Sequence, residues 1–197
     1  MTERLLLGIA VILAGLVLGL GLFWHPQPAP RVVPPAAQSP GGDFTLQSAA
    51  GPVSLKDYRG KVVLVYFGYT YCPDICPTSL AATAAGLRLL RPEELARVAM
   101  IFISVDPERD TPARLKEYAE FFHPSIVGVT GTAEELARVA TRYGAFFSRQ
   151  KTDTAGGYVV DHTADTYVVA PDGRLVGHIS HAAQPEQVVA EIRRRLD

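Results

Sequence analysis

The sequence predicts an α/β fold, a central mixed sheet flanked by helices, with an N-terminal transmembrane helix ahead of it. Three observations carry that reading. Two near-continuous apolar runs, Lys61 to Gly68 and Val98 to Val105, have the pattern of strands buried on both faces. Helix-forming segments alternate with them, and a late pair of apolar stretches is separated by the hairpin signal Pro171-Asp172-Gly173. Ahead of all this, Leu5 to Trp24 carries no charged residue and is long enough to cross a bilayer as one helix.

Taken in order, residues 1–24 read as a membrane anchor, with Arg4 before the apolar run and Trp24 at an interfacial position. A cleaved signal peptide is the alternative. The charge placement puts the following domain on the extracytoplasmic side of a cell (inner) membrane crossed once. Residues 25–42 form a linker in which Pro26, Pro28, Pro30, Pro34, Pro35 and Pro40 forbid helix and favour an extended spacer. The domain covers residues 43–197.

Within it, Phe44-Thr45-Leu46 and Val53-Ser54-Leu55 read as short strands around a Gly51-Pro52 turn. The buried strand at Lys61–Gly68 leads to a cysteine loop, then to an Ala/Leu-rich helix from Thr78 to Leu90. The second buried strand ends at Asp106-Pro107. Pro112 to Phe122 is a helix with Leu115, Tyr118, Ala119 and Phe122 on one face. Ile126–Val129 is a short strand, and Thr132 with Glu135 forms a capping box opening a helix to Tyr143. Asp165–Ala170 and Arg174–Ile179 flank the hairpin turn, and Pro185–Leu196 closes the chain as an amphipathic helix.

The chain has 197 residues, enough for one domain and an appendage, and a net charge of −1. That balance argues against nucleic acid or an acidic membrane surface as a partner. Its chemistry concentrates in Cys72-Pro-Asp-Ile-Cys76-Pro77, which holds both of its 2 cysteines. Pro77 suits the first helical position, which places Cys76 near an N-cap where free N–H groups and the helix dipole stabilise a thiolate. A structural disulfide across so small a loop would constrain the unfolded chain little. Two chemical readings remain, a redox-active Cys72–Cys76 pair and a soft-metal site.

The element order matches a thioredoxin-like domain. In that fold the dithiol loop faces the loop before the late hairpin, here Val160-Asp161-His162-Thr163. Thioredoxins carry a cis-proline there; this chain carries His162. Two thiolates and an imidazole suit a soft or borderline metal: Cu(I) accepts three donors, whereas Zn(II) wants a fourth. Asp161 and Asp165 are placed to orient His162, and Tyr66, Phe67, Tyr69 and Tyr71 to surround the loop. His123, His178 and His181 read as loop, surface or core residues.

The segments Gly68-Tyr-Thr-Tyr-Cys-Pro-Asp-Ile-Cys-Pro77, Ser104-Val-Asp-Pro107 and Gly157-Tyr-Val-Val-Asp-His162 resemble the Sco family of copper-delivery proteins from about Asp43 onward. The resemblance implies copper, Cu(I) or Cu(II), held by Cys72, Cys76 and His162. It implies delivery to the dinuclear copper site of cytochrome c oxidase subunit II, or reduction of that site's cysteines. Another periplasmic copper carrier is a further implied partner. The protein reads first as a metallochaperone; a thioredoxin-type thiol–disulfide oxidoreductase without a metal role is the rival. A peroxidase is a third reading: Thr70 is near the cysteines, but no neighbouring arginine is apparent in sequence.

Overall fold

The structure is a computed structural model and describes residues 40–152 and 157–196. The expected membrane helix and most of the linker lie outside the described residues. Among the described residues, no helix is long and apolar enough to cross a membrane.

The chain enters through an antiparallel pair, β1 (Thr45–Ser48) and β2 (Gly51–Ser54). The turn falls at Ala49-Ala50 rather than at Gly51-Pro52. Ser48 closes it: its hydroxyl donates to Gly51 O at 2.8 Å and accepts from Ala50 N at 3.1 Å. Gly51 opens β2 with φ of 112°, a conformation that favours glycine.

The elements that follow are β3 (Val62–Gly68), α1 (Ile75–Arg88), α2 (Pro92–Leu95), β4 (Val98–Ser104), α3 (Pro112–Phe122), β5 (Ile126–Val129) and α4 (Ala133–Tyr143). Then come β6 (Phe147–Lys151), β7 (Tyr158–His162), β8 (Thr166–Val169), β9 (Leu175–Ile179) and α5 (Pro185–Leu196). The central sheet has the order β5-β4-β3-β8-β9. β3, β4 and β5 run parallel, while β8 is antiparallel to both β3 and β9, so the sheet is mixed as expected. Every residue of β3 and β4 is buried, which is why both read as unbroken apolar runs.

The pleat of β3 sends successive side chains to opposite faces. Tyr66 stacks on Phe102, which meets Tyr118 of α3; Phe67 instead meets Tyr143 of α4 and Tyr167 of β8. Phe67 therefore does not join Tyr66 near the cysteine loop, contrary to the sequence expectation.

Three further features depart from the sequence reading. α1 begins at Ile75, so Cys76 lies inside the first helical turn, with Asp74 as the N-cap residue. Pro77 is accommodated because N–H groups of a first turn have no intrahelical acceptor. The four-residue α2 was not anticipated; it is held by Glu94, which accepts from Arg91 N at 2.8 Å and pairs with Arg193 of α5 at 2.8 Å. The antiparallel β6–β7 ribbon was also not anticipated.

α1 and α5 pack together through Gly86. A Cβ there would lie 2.9 Å from Val188 Cβ and 3.0 Å from Pro185 O, closer than ordinary contacts. Gly86→Val is expected to lower stability by roughly 1–3 kcal/mol through overpacking. The measurement is the urea midpoint of variant against wild type; equal midpoints would contradict this packing.

Candidate metal centre

His162 reaches the dithiol because of strand direction. β3 and β8 are antiparallel with Tyr66 opposite Thr166. The segment entering β8 therefore lies at the end of the sheet where β3 runs into the cysteine loop. Cys72 Sγ, Cys76 Sγ and a His162 ring nitrogen all fall within 4.8 Å of one another. Cys76 Sγ is 3.0 Å from His162 Nε2, and Cys76 N donates to Cys72 Sγ at 3.5 Å. Both cysteines are free thiols.

Several residues fix this geometry. Gly68, the last residue of β3, leaves room for Cys76: a Cβ there would lie 2.8 Å from its Sγ. The imidazole meets the rings of Tyr66 and Tyr69 edge-on, at 6.0 and 5.9 Å between centroids. Tyr69 OH accepts from Val160 N at 3.2 Å, which joins the cysteine loop to β7. His162 Nδ1 donates to Thr163 O at 3.0 Å and so turns Nε2 toward the sulfurs. Asp161 and Asp165 were expected in that orienting role. The ring nitrogen is held by a backbone carbonyl instead, and Asp165 lies 3.8 Å from His178. No cis peptide occurs among the described residues.

The two thiols differ in protonation. The Cys72 thiol is held well below its ordinary range, first by the hydrogen bond from the Cys76 side chain, with His162 and the N–H groups of Asp74 and Cys76 adding to it against partial burial. Burial pushes the Cys76 thiol up, and the neighbouring Cys72 thiolate adds to that. The sequence reading gave the thiolate to Cys76 through the helix dipole. Burial of Cys76 acts against that dipole, and the thiol that is lowered is the half-buried Cys72.

Beneath the loop lies a polar network that the sequence reading did not find. Asp110 is fully buried and accepts from Thr70 N at 2.9 Å, Thr70 Oγ1 at 2.6 Å and Ser104 Oγ at 2.6 Å. Asp106, also buried, accepts from Tyr158 OH at 2.7 Å and pairs with Arg109 Nε at 2.5 Å. Arg114 Nε donates to Thr70 Oγ1 at 2.6 Å, and its guanidinium lies 4.4 Å from the Tyr71 ring centroid. An arginine is thus beside Thr70 after all, brought there from α3, 44 residues away. The only hint in sequence was Ser104-Val-Asp-Pro107, which carried a resemblance but no assigned chemistry.

These features define a mixed α/β domain of thioredoxin-like type, with two thiol sulfurs and one imidazole gathered at the end of its sheet. The SCO1/SenC family model matches residues 33–197, and the chain belongs to that family. It is 42% identical over 157 residues to Protein SCO2 homolog, mitochondrial, of Bos taurus, an alignment covering 79% of this chain and 59% of that relative. The copper-bound structure of ScoI from Bradyrhizobium japonicum is 42% identical, with a TM-score of 0.73, covering 80% of this chain and 100% of that one. A more distant structure, BsSco, is described by its disulfide switch and its membership of the Sco family of cytochrome c oxidase assembly proteins. It is 26% identical with a TM-score of 0.65, covering 80% of this chain and 94% of that one.

The thiol asymmetry has a direct chemical readout. In reduced, metal-free protein at pH 6, iodoacetamide is expected to modify Cys72 faster than an ordinary peptide thiol. Cys76 should stay unmodified until the chain unfolds. Site-resolved mass spectrometry gives both rates, and equal rates would refute the assignment.

Proposed function

We propose that this protein is a copper carrier whose cargo is held by Cys72 Sγ, Cys76 Sγ and His162 Nε2. The observation that carries the reading is the approach of these three donor atoms to within 4.8 Å of one another from segments 86 residues apart. Thiolates favour Cu(I), and the imidazole broadens the set toward Cu(II). Family membership and the copper-bound ScoI relative support copper over zinc. Three donors leave a coordination position open, so an incoming ligand from a partner attaches before the carrier's own ligands leave.

The recipient in this reading is the dinuclear copper site of cytochrome c oxidase subunit II, with another extracytoplasmic copper carrier as the donor. Residues 1–24 anchor the protein in the membrane, residues 25–42 lift the domain away from it, and residues 43–197 bind the metal. The chain covers less than two thirds of the Bos taurus relative, so this layout rests on the apolar run and the proline spacer in its own sequence.

A second reading has its own observation. Cys72 is a half-buried thiol with a depressed pKa beside a second thiol, the arrangement a disulfide reductase needs. In that reading the Cys72/Cys76 dithiol reduces a disulfide between the cysteines of the oxidase site and is itself oxidised to the redox-active Cys72–Cys76 disulfide.

Reduced full-length protein is expected to bind one equivalent of copper, and Cys72→Ser or Cys76→Ser to abolish stoichiometric binding. His162→Ala should weaken copper binding but leave metal-free reduction of a disulfide substrate intact. Affinity should fall as pH drops, because all three donors bind as deprotonated groups. Competition titration with a chromophoric Cu(I) chelator measures this. Copper uptake by Cys72→Ser equal to wild type would refute the carrier reading, and reductase activity lost with His162→Ala would refute the division of roles.

A further inference from the structure

Arg109 is a side chain that the proposed chemistry does not use, yet it touches both segments that deliver ligands. On the ribbon side, its Nη1 donates to Tyr158 O at 3.1 Å, and its guanidinium lies 3.6 Å from the Tyr158 ring centroid. On the loop side, the same guanidinium lies 4.9 Å from the Tyr71 ring centroid and 5.6 Å from that of Tyr69. Its Nε is fixed by buried Asp106, which also accepts from Tyr158 OH. Tyr158 begins β7 and His162 ends it, while Tyr71 directly precedes Cys72. The side chain is only 16% exposed, so these contacts operate largely out of water.

We propose that Arg109 is a positioning residue that clamps the histidine-bearing ribbon to the dithiol loop and so sets how His162 meets the two sulfurs. The ribbon needs such a clamp. Among the described residues β6 and β7 pair only with each other, so the ribbon depends on what it packs against for its stability. A planar guanidinium can lie over a ring while donating in its own plane, which a lysine ammonium cannot do. The inference rests on the copper-carrier reading for its consequence, but the clamp itself can be tested without metal.

Three measurements on the full-length reduced protein decide it. In metal-free protein, Arg109→Ala is expected to speed amide exchange at Val160, Asp161 and Thr163 while leaving β3 and β4 protected. In copper competition titrations, Arg109→Ala should weaken binding about 10- to 100-fold, the usual range when a ligand loses its supporting partner. Because Arg109 acts through His162, adding Arg109→Ala to His162→Ala should cause no further loss. Arg109→Lys keeps the charge beside Asp106 and serves as the folding control: it should melt like wild type yet lose affinity. The proposal is overturned if ribbon exchange is unchanged. It is equally overturned if Arg109→Ala or Arg109→Lys binds copper like wild type, or if the Arg109→Ala loss persists undiminished in the His162→Ala background. If wild type and His162→Ala bind equally, the carrier reading of His162 fails, while the exchange result still reports on the clamp.

Discussion

The geometry of the site depends on one buried carboxylate. Asp110 is removed from water, and an isolated charge there would be strongly unfavourable. It is tolerated because the backbone N–H and hydroxyl of Thr70 and the hydroxyl of Ser104 all donate to it, with Arg114 4.0 Å away. Those donors belong to the ends of two strands: Thr70 follows β3, and Ser104 is the last residue of β4. Because β3 and β4 are parallel, both chains leave the sheet at the same end. Asp110 fastens them there, and the cysteine loop starts from a fixed point. Removing one of those hydroxyl donors costs about 1–3 kcal/mol, because the buried acceptor loses a hydrogen bond it cannot replace with water.

Much of the frame was legible in sequence because its signals are local. Apolar runs gave β3 and β4, and the Thr132–Glu135 capping box gave α4 with its boundary at Tyr143. Pro112 and Pro185 gave the starts of α3 and α5. The three residues of the candidate site were legible for a different reason. Cys72 and Cys76 are the only cysteines, and the strand order carries His162 to them. What escaped notice depends on distant partners or competing signals. β6, with the sequence Phe-Ser-Arg-Gln-Lys, is mostly polar and pairs outside the central sheet, so it lacks a core-facing pattern. Proline marked the first turn of α1 but not its first residue. Asp106 and Asp110 gave no local signal of their burial, since their partners Tyr158 and Thr70 lie 52 and 40 residues away.

The donors do not share one environment. Cys76 is wholly buried among Tyr66, Phe102 and the space left by Gly68, whereas Cys72 is partly open. Desolvation favours the protonated form of the inner sulfur, while hydrogen bonding holds the outer thiol below its ordinary range. Full deprotonation of both sulfurs becomes favourable when a cation supplies the missing compensation.

The imidazole is held differently again. Cys76 lies in α1, which packs on the core, and Cys72 lies in the loop that follows β3. His162 ends a ribbon that pairs with no strand of the central sheet. It is joined to the rest through Val160, which enters the core and whose N–H donates to Tyr69, through Tyr158 on Asp106 and Arg109, through Arg149 on Glu108, and through ring edges around the imidazole. Each of those hydrogen bonds contributes about 1 kcal/mol net, far less than a packed core strand. His162 is thus carried on a separate ribbon held largely by side-chain contacts, whereas Cys76 is carried by a helix packed on the central sheet.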